Sequence, residues 1–311
     1  MLKSLKAKAS SDPRSDNAKA YGIPEGQLVP VEYISNDVSI PDDFLSVTSS
    51  PSDAKPITLT PIDWTKTVLP EYDGRYAVVL DNVISPSECQ ELLQLAESSV
   101  DLSRVAKGIQ NPWRPATVAA GNGYEVLDSH YRNSDRIVWD QQEVVDRLWR
   151  RCLMGDVGQA LLEKLEVLHN DERVVGITRN WQKDGEVEDE TWGMRGLNKR
   201  MRFLKYGPGQ FFRPHCDSHY VESVDEKIFK TFFTLHLYLN DSVAEMGEDA
   251  ELVGGATSFL SPDDKRKIDV DPKAGRVLIF QQRRLNHAGD DVVKGTKYTM
   301  RTEIMYEKVY G

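Results

Sequence analysis

Residues 200–217 read RMRFLKYGPGQFFRPHCD, and this stretch decides what kind of fold the chain has. Two runs rich in aromatic and other apolar residues, 201–206 and 210–215, flank the turn sequence Gly-Pro-Gly at 207–209. Segments of the same kind, separated by further turn signals, follow as far as residue 306; they are 229–240, 256–260, 267–270, 276–280 and 297–306. Many short strands at this spacing predict a β-sandwich or a double-stranded barrel.

The chain before residue 200 has the spacing of helices instead. Ser85 can cap a helix whose first position is Pro86, and Glu88 completes a capping box. A second helical stretch is predicted from Gln142 to about Leu165. Helices followed by strands predict an α+β protein in which the helices pack outside a barrel.

Composition limits the class of protein. The chain has 311 residues, which is enough for one large domain or two modest ones. Its formal charge of −10 makes nucleic acid an improbable partner, because a phosphate backbone requires a basic face. We expect neither a membrane helix nor a secretory signal, since no stretch is apolar enough for either. The three cysteines are far apart, which predicts free thiols and an intracellular, in the first instance cytoplasmic, protein.

The N-terminal part differs from the rest. Residues 1–55 are rich in serine and proline and have few apolar clusters, so we expect a flexible arm. Residues 56–311 then form one catalytic domain with its barrel core at about 200–306. The first twenty residues are basic, which leaves nuclear or organellar targeting by the arm open.

Three residues are candidates for a metal site. His215 and Asp217 are two positions apart, so on a strand both side chains point to the same face. His287 follows the apolar run 277–280 and can complete the set, because strands distant in sequence are neighbours in a barrel. Two histidines and one carboxylate form the facial triad of non-haem Fe(II) oxygenases. A His-x-Asp pair is common by chance, and the alternative is a surface turn with an ordinary histidine.

The strand from residue 297 has one polar face, which includes Lys297 and Arg301. This face is either solvated or turned into the barrel. In the second case its cations need an anionic partner, because buried charge without a partner is costly. A dicarboxylate cosubstrate would provide that partner.

Several stretches, taken in order, resemble one family. Besides 200–217 they are LDNVISPSEC at 80–89, LHLYLND at 235–241, GGATSF at 254–259, KAGRVLIF at 273–280, HAG at 287–289 and GTKY at 295–298. Over residues 75–306 the chain resembles the 2-oxoglutarate- and Fe(II)-dependent dioxygenases, specifically the prolyl 4-hydroxylase-like group. The resemblance implies a double-stranded β-helix, a cupin-like jelly roll, with supporting N-terminal helices.

The resemblance also implies a set of site residues. His215, Asp217 and His287 would bind Fe(II), and Lys297, ten residues after His287, would anchor the cosubstrate 2-oxoglutarate. Arg301 is a rival anchor on the same strand face, about 13 Å along the strand, and position favours Lys297. Tyr206 matches a tyrosine that hydrogen-bonds the same carboxylate, although it can equally be a core aromatic. O2 is the second cosubstrate, and ascorbate is an optional supporting reductant.

Four further residues are candidates for contact with the substrate. Arg132 and Arg136, in a segment that also resembles the family, could contact an anionic substrate or belong to a salt-bridged surface turn. His219 continues the face of His215 and would line the entrance, unless it is a solvated loop residue. Trp192, in a glycine-flanked loop, would form part of a lid.

The function implied is oxidation of an unactivated C–H bond, usually its hydroxylation, by O2, with release of succinate and CO2. One alternative is a jelly-roll module that binds a metal, has weak catalysis and serves in binding or regulation. Another is metal-assisted hydrolysis, which would leave Lys297 without a role. The substrate remains open between a peptidyl proline, a free amino acid and another small metabolite, and so does the oligomeric state.

Overall fold

The computed structural model describes residues 21–31, 33–48, 51–104, 110–121, 123–169, 174 and 190–309. The expected targeting role of the first twenty residues lies outside this part. The α-helices of the described part are α1 (Pro86–Ser98), α2 (Gln142–Cys152), α3 (Gly155–Leu165) and α4 (Val243–Met246). Short 3-10 helices are Trp64–Lys66, Pro70–Tyr72, Leu102–Arg104 and Gly247–Asp249.

The strands of the described part, in chain order, are β1 (Leu28–Pro30), β2 (Thr58–Pro61), β3 (Ala77–Asp81), β4 (Arg114–Pro115), β5 (Val118–Gly121), β6 (Tyr124–Val126), β7 (Arg132–Asn133), β8 (Asp135–Asp140), β9 (Val167–Leu168), β10 (Thr191–Leu197), β11 (Arg200–Tyr206), β12 (Phe211–His215), β13 (Val221–Val224), β14 (Lys227–Tyr238), β15 (Val253–Gly254), β16 (Thr257–Leu260), β17 (Lys267–Val270), β18 (Val277–Gln281), β19 (His287–Gly289), β20 (Val292–Lys294) and β21 (Lys297–Val309). The strands predicted after residue 200 are confirmed, with ends that differ by a few residues.

Two antiparallel sheets form the body of the domain. The larger sheet has the order β2-β3-β18-β14-β21-β11-β8-β4, with β9, β10 and β13 attached, and the smaller has the order β17-β16-β19-β12-β7. The sheets face each other, because Arg301 on β21 reaches Asp217, two residues after β12. Within the described residues they remain separate sheets and do not close into a barrel. The predominance of strands, with few helices, fits the predicted double-stranded β-helix.

Local sequence explains where the helices begin and end. The capping box at α1 is present: the Ser85 backbone N–H donates to the Glu88 carboxylate at 2.8 Å, and the Glu88 N–H donates to Ser85 Oγ at 3.2 Å. The second helical stretch consists of two helices separated at Gly155, whose φ of +59° favours glycine. Gly158 is required for a different reason, since a Cβ there would lie 2.0 Å from the carbonyl oxygen of Leu153.

The described portion of the expected arm contacts the domain. β1 pairs with β6 in a three-stranded sheet with β5, and Phe44 and Leu45 are buried in the main hydrophobic core. Burial of these two apolar side chains removes them from water and favours the contact between this segment and the domain. The division of the chain at residue 55 stays a prediction.

The polar face of β21 is turned inward. Lys297, Thr299 and Glu303 are each less than 4% exposed, and Arg301 is partly buried. Neighbouring strands align with this face in register: Tyr206 lies opposite Lys297, and His236 lies opposite Arg301. The alternative of a solvated face is therefore wrong, and the cations lie between the sheets.

A buried ion pair joins the first two helices. Arg151 of α2 contacts the Glu88 carboxylate of α1 at 2.7 Å, and both side chains are about 5% exposed. We expect Arg151→Met to lower the free energy of unfolding by about 3 kcal/mol, because it leaves a buried carboxylate without its cation. Urea unfolding measures this loss. Arg150→Met, on the exposed side of the same helix, is the control and should change stability by less than about 0.5 kcal/mol; equal losses would contradict the prediction.

Candidate active site

The three predicted metal ligands lie together between the sheets. His215 ends β12 and pairs in register with His287 at the start of β19, and Asp217 follows two residues after His215. The Nε2 atoms of His215 and His287 lie 3.7 and 3.8 Å from the two carboxylate oxygens of Asp217. One potential ligand atom from each residue lies within 4.8 Å of the other two, so one ion could contact all three.

Hydrogen bonds around the three residues hold them in the orientation that a metal requires. The Nδ1 atoms of His215 and His287 lie 2.8 and 3.1 Å from the backbone carbonyl oxygens of Arg213 and Leu285. A carbonyl can only accept, so Nδ1 carries the proton and Nε2 keeps its lone pair. Such outer contacts are typical of metal-binding histidines.

The electrostatics favour the ligand form of each residue. Burial lowers the pKa of His215 to about 3 and also lowers the pKa of His287. Burial alone would raise the pKa of Asp217, but Arg301 and the hydrogen bond from Thr234 outweigh it and hold that pKa well below its usual range. All three side chains are therefore deprotonated at neutral pH, as metal binding demands.

Lys297 is a buried cation that forms no ion pair with any carboxylate of the described residues. Its side chain is 2% exposed. Its ammonium group lies over the rings of Tyr206 and Tyr238, 5.3 and 5.8 Å from their centres. Burial lowers the pKa of Lys297 to about 8. A ligand carboxylate would compensate this charge, and Tyr206, also buried in the same wall, is within reach of it.

Arg301 has partners within the protein. Its guanidinium lies 3.0 Å from Asp217 and 3.6 Å from Glu303, and Glu303 also pairs with Arg202 at 2.7 Å. Because carboxylates of the chain already balance Arg301, Lys297 is the better candidate for the cosubstrate anchor.

Of the four predicted substrate contacts, Arg132 lines the cavity of the metal candidates, and Arg136, Trp192 and His219 do not. Arg132 lies on β7, is 7% exposed and lines the same cavity as the metal candidates. Arg136 is also buried, but it pairs with Glu125 at 2.7 Å. The expectation of a lid residue at 192 is wrong: Trp192 lies on β10 and packs against Phe232 in the core, because the sheet continues through this segment.

His219 does not reach the cavity either. Among the described residues it is not part of the cavity wall, and its Nδ1 lies 3.1 Å from the side-chain oxygen of Gln282. The wall contains two polar residues that the sequence did not single out for a role, Thr234 and Thr257, as well as His236, which it placed in the core or the pocket lining. Thr234 and His236 alternate along β14, which is the signal that could have identified them.

The cavity wall fits a small polar ligand. Within the described part of the chain, four buried side-chain nitrogen or oxygen atoms of the wall have no hydrogen-bond partner; they are Arg132 Nε, His236 Nε2, Thr257 Oγ1 and Arg301 Nε. Buried polar atoms without partners are rare in proteins and call for an explanation such as a ligand. Together with the two histidines, the carboxylate and the unpaired Lys297, they fit an iron ion with an anionic cosubstrate.

Residues 201–302, which include every residue of this metal and anchor set, match the family model of the 2OG-Fe(II) oxygenase superfamily. This segment is a 2OG-Fe(II) oxygenase domain. The protein is accordingly a 2-oxoglutarate-dependent dioxygenase, and Fe(II), 2-oxoglutarate and O2 are the cofactor and cosubstrates of that chemistry. No curated protein sequence matches the chain.

Solved structures similar to this chain include three prolyl hydroxylases. A Pseudomonas putida prolyl-4-hydroxylase is 14% identical, with 76% of this chain and 95% of that chain covered and a TM-score of 0.41. A collagen prolyl hydroxylase of Paramecium bursaria Chlorella virus-1 is 19% identical, with 75% of this chain and 97% of that chain covered and a TM-score of 0.40. A Trichoplax adhaerens prolyl hydroxylase in complex with a hypoxia-inducible-factor peptide fragment is 14% identical, with 77% of this chain and 88% of that chain covered and a TM-score of 0.43.

The described helices include none with both the length and the apolar character needed to cross a bilayer.

The pKa of Lys297 gives a way to separate it from Arg301 as the anchor. Above pH 8 the Lys297 amine is neutral and no longer attracts a carboxylate, so the Kd for 2-oxoglutarate should rise about tenfold between pH 7 and pH 9. Calorimetric titration of the Mn(II)-loaded protein measures it. Lys297→Arg should remove the rise, because arginine stays charged. A wild-type Kd that does not change with pH would favour Arg301.

Proposed function

We propose that His215, Asp217 and His287 bind the iron and that Lys297, with Tyr206, binds the distal carboxylate of 2-oxoglutarate. The observation that carries this assignment is the pairing of a deprotonated His-Asp-His cluster with a buried lysine that lacks any carboxylate partner in the described part of the chain. The two features need two different ligands, a cation and an anion, and the 2-oxoglutarate-dependent reaction uses one of each.

Bound together, iron and 2-oxoglutarate supply the oxidation of a C–H bond by O2 with release of succinate and CO2. The chain's own residues orient these groups and exclude water. Arg213 and Leu285 hold the two imidazoles through their carbonyls, and Thr234 holds one oxygen of Asp217 at 2.5 Å. The surrounding wall, which includes Leu204, Phe212 and Phe280, keeps the reacting groups away from bulk solvent.

For the substrate we propose a molecule with a carboxylate close to the carbon that reacts. Arg132 supports this choice, because it lines the cavity as a second cation without an ion-pair partner among the described residues. Its Nη1 donates to the backbone carbonyl of Thr117, at 3.3 Å, and its Nε has no hydrogen-bond partner among the described residues. Burial lowers its pKa to about 10, so it remains charged at neutral pH. A free amino acid or a similar small acid suits this site better than a neutral peptide segment.

Two finer points belong to the same proposal. We place the protein in a reducing, intracellular compartment, which is supported by the free thiols of Cys89, Cys152 and Cys216. Ascorbate serves as a supporting reductant in turnover without substrate.

The central test is O2-dependent conversion of 2-oxoglutarate to succinate by the purified protein loaded with Fe(II). We expect slow succinate formation without substrate, and we expect His287→Ala to abolish it and to weaken Mn(II) binding at least 100-fold, because one of three ligands is lost. Electron paramagnetic resonance of free Mn(II) measures the binding. Metal binding without succinate formation would favour the binding module, and activity that persists without O2 would favour a hydrolase.

A second test concerns the charge of the substrate. Pairs of free amino acids and their amides are compared as stimulators of succinate formation, and we expect the member with the carboxylate to be the stimulator. Arg132→Gln should raise the KM for the stimulating carboxylate compound about tenfold or more, because the variant loses the charge-assisted hydrogen bond to that carboxylate. The KM for 2-oxoglutarate should stay unchanged. Arg132→Lys should recover part of the loss. Stimulation by the amides alone would contradict the proposed substrate class.

A further inference from the structure

His236 lies within the cavity wall, and nothing in the proposed function uses it. It is on β14, two residues from Thr234, which hydrogen-bonds Asp217, and two residues from Tyr238, whose ring faces Lys297. Residues two apart on a strand share a face. His236 therefore occupies the position between the metal ligands and the proposed carboxylate anchor.

The register of the sheet gives the same location. His236 lies opposite Arg301, and Tyr238 lies opposite Thr299, so the row of side chains on β14 runs parallel to the polar face of β21. A ligand that extends from Asp217 to Lys297 has to cross the row to which His236 belongs. The imidazole is thus placed against the middle of such a ligand.

One nitrogen of the imidazole also lacks a partner. The Nε2 atom of His236 is buried and has no hydrogen-bond partner among the residues that the structure describes. A buried polar atom without a partner destabilises the folded protein, whereas leucine of similar size would fill the position without that penalty. A second unpartnered atom in the same wall is Thr257 Oγ1.

The imidazole is uncharged. Burial is the main cause that lowers the pKa of His236 well below its usual value, and Lys297 and Arg301, the cations that face it, lower it further. His287 acts in the same direction, and Asp217 opposes it. A neutral imidazole can donate one hydrogen bond and accept another without adding charge to a wall that already holds several cations.

We propose that His236 is a cosubstrate-binding residue, whose imidazole hydrogen-bonds the part of 2-oxoglutarate that lies between the metal ligands and Lys297. This inference rests on the proposed function of the same cavity. The imidazole would add a polar contact in the middle of the cosubstrate, whose ends are held by the metal and by Lys297. The affinity for 2-oxoglutarate would then depend on a residue that binds neither the metal nor the distal carboxylate.

The test compares His236→Leu, which removes both ring nitrogens, with His236→Gln, which keeps an N–H donor. Each protein is loaded with Mn(II) and titrated with 2-oxoglutarate in a calorimeter, and Mn(II) affinity is measured separately. We expect the Kd for 2-oxoglutarate to rise about tenfold in His236→Leu and to stay within about threefold of wild type in His236→Gln, with Mn(II) affinity unchanged in both.

The Tm of the ligand-free proteins separates a binding role from a structural one. We expect the Tm of His236→Leu to equal or exceed that of wild type, because the unpartnered nitrogen is gone. An unchanged Kd in His236→Leu, an equal loss in both variants, or a loss of Mn(II) affinity would overturn the inference and leave the proposed function intact. Absence of 2-oxoglutarate binding by the wild type would overturn both.

Discussion

The ion pair between Arg301 and Asp217 is the interaction on which the site depends. It joins the larger sheet to the smaller across the interior, at 3.0 Å. Arg301 is itself held by Glu303, which Arg202 holds in turn, so a chain of alternating charges extends into β11. Buried charges are stable only when paired and hydrogen-bonded, and this requirement fixes the side chains of both sheets relative to each other.

The same requirement distinguishes the cations of the cavity by whether a carboxylate of the protein pairs with them. Arg301 is balanced within the protein, and its charge supports the ionised form of Asp217. Lys297 and Arg132 have no carboxylate within the described chain and face the same cavity. Both positions therefore cost the protein stability, because a buried cation without a paired carboxylate is unfavourable, and such a cost is common at functional sites.

Local rules predicted much of the architecture, and they failed where pairing partners were distant. The capping box at Ser85 and Glu88 and the alternation of β21 depend on neighbours in sequence, and both were predicted correctly. Trp192 was placed in a loop because glycines flank it, yet its strand is stabilised by pairing with β21, more than a hundred residues away. Likewise, Arg132 and Arg136 lie on short strands within the two sheets and not in a surface turn.

The faces on which the site residues lie could be read from the order of the amino acids alone, because the two-residue period of a strand is a local property. The spacing of His215 and Asp217 and the polar face of Lys297 and Arg301 were legible in this way. The fold was needed to show that Arg301 is paired with a carboxylate and that Lys297 has no such partner among the described residues, since pairing depends on carboxylates brought close by folding. Folding also placed His236 between the candidate metal ligands and Lys297, because register between strands is set by pairing across the sheet.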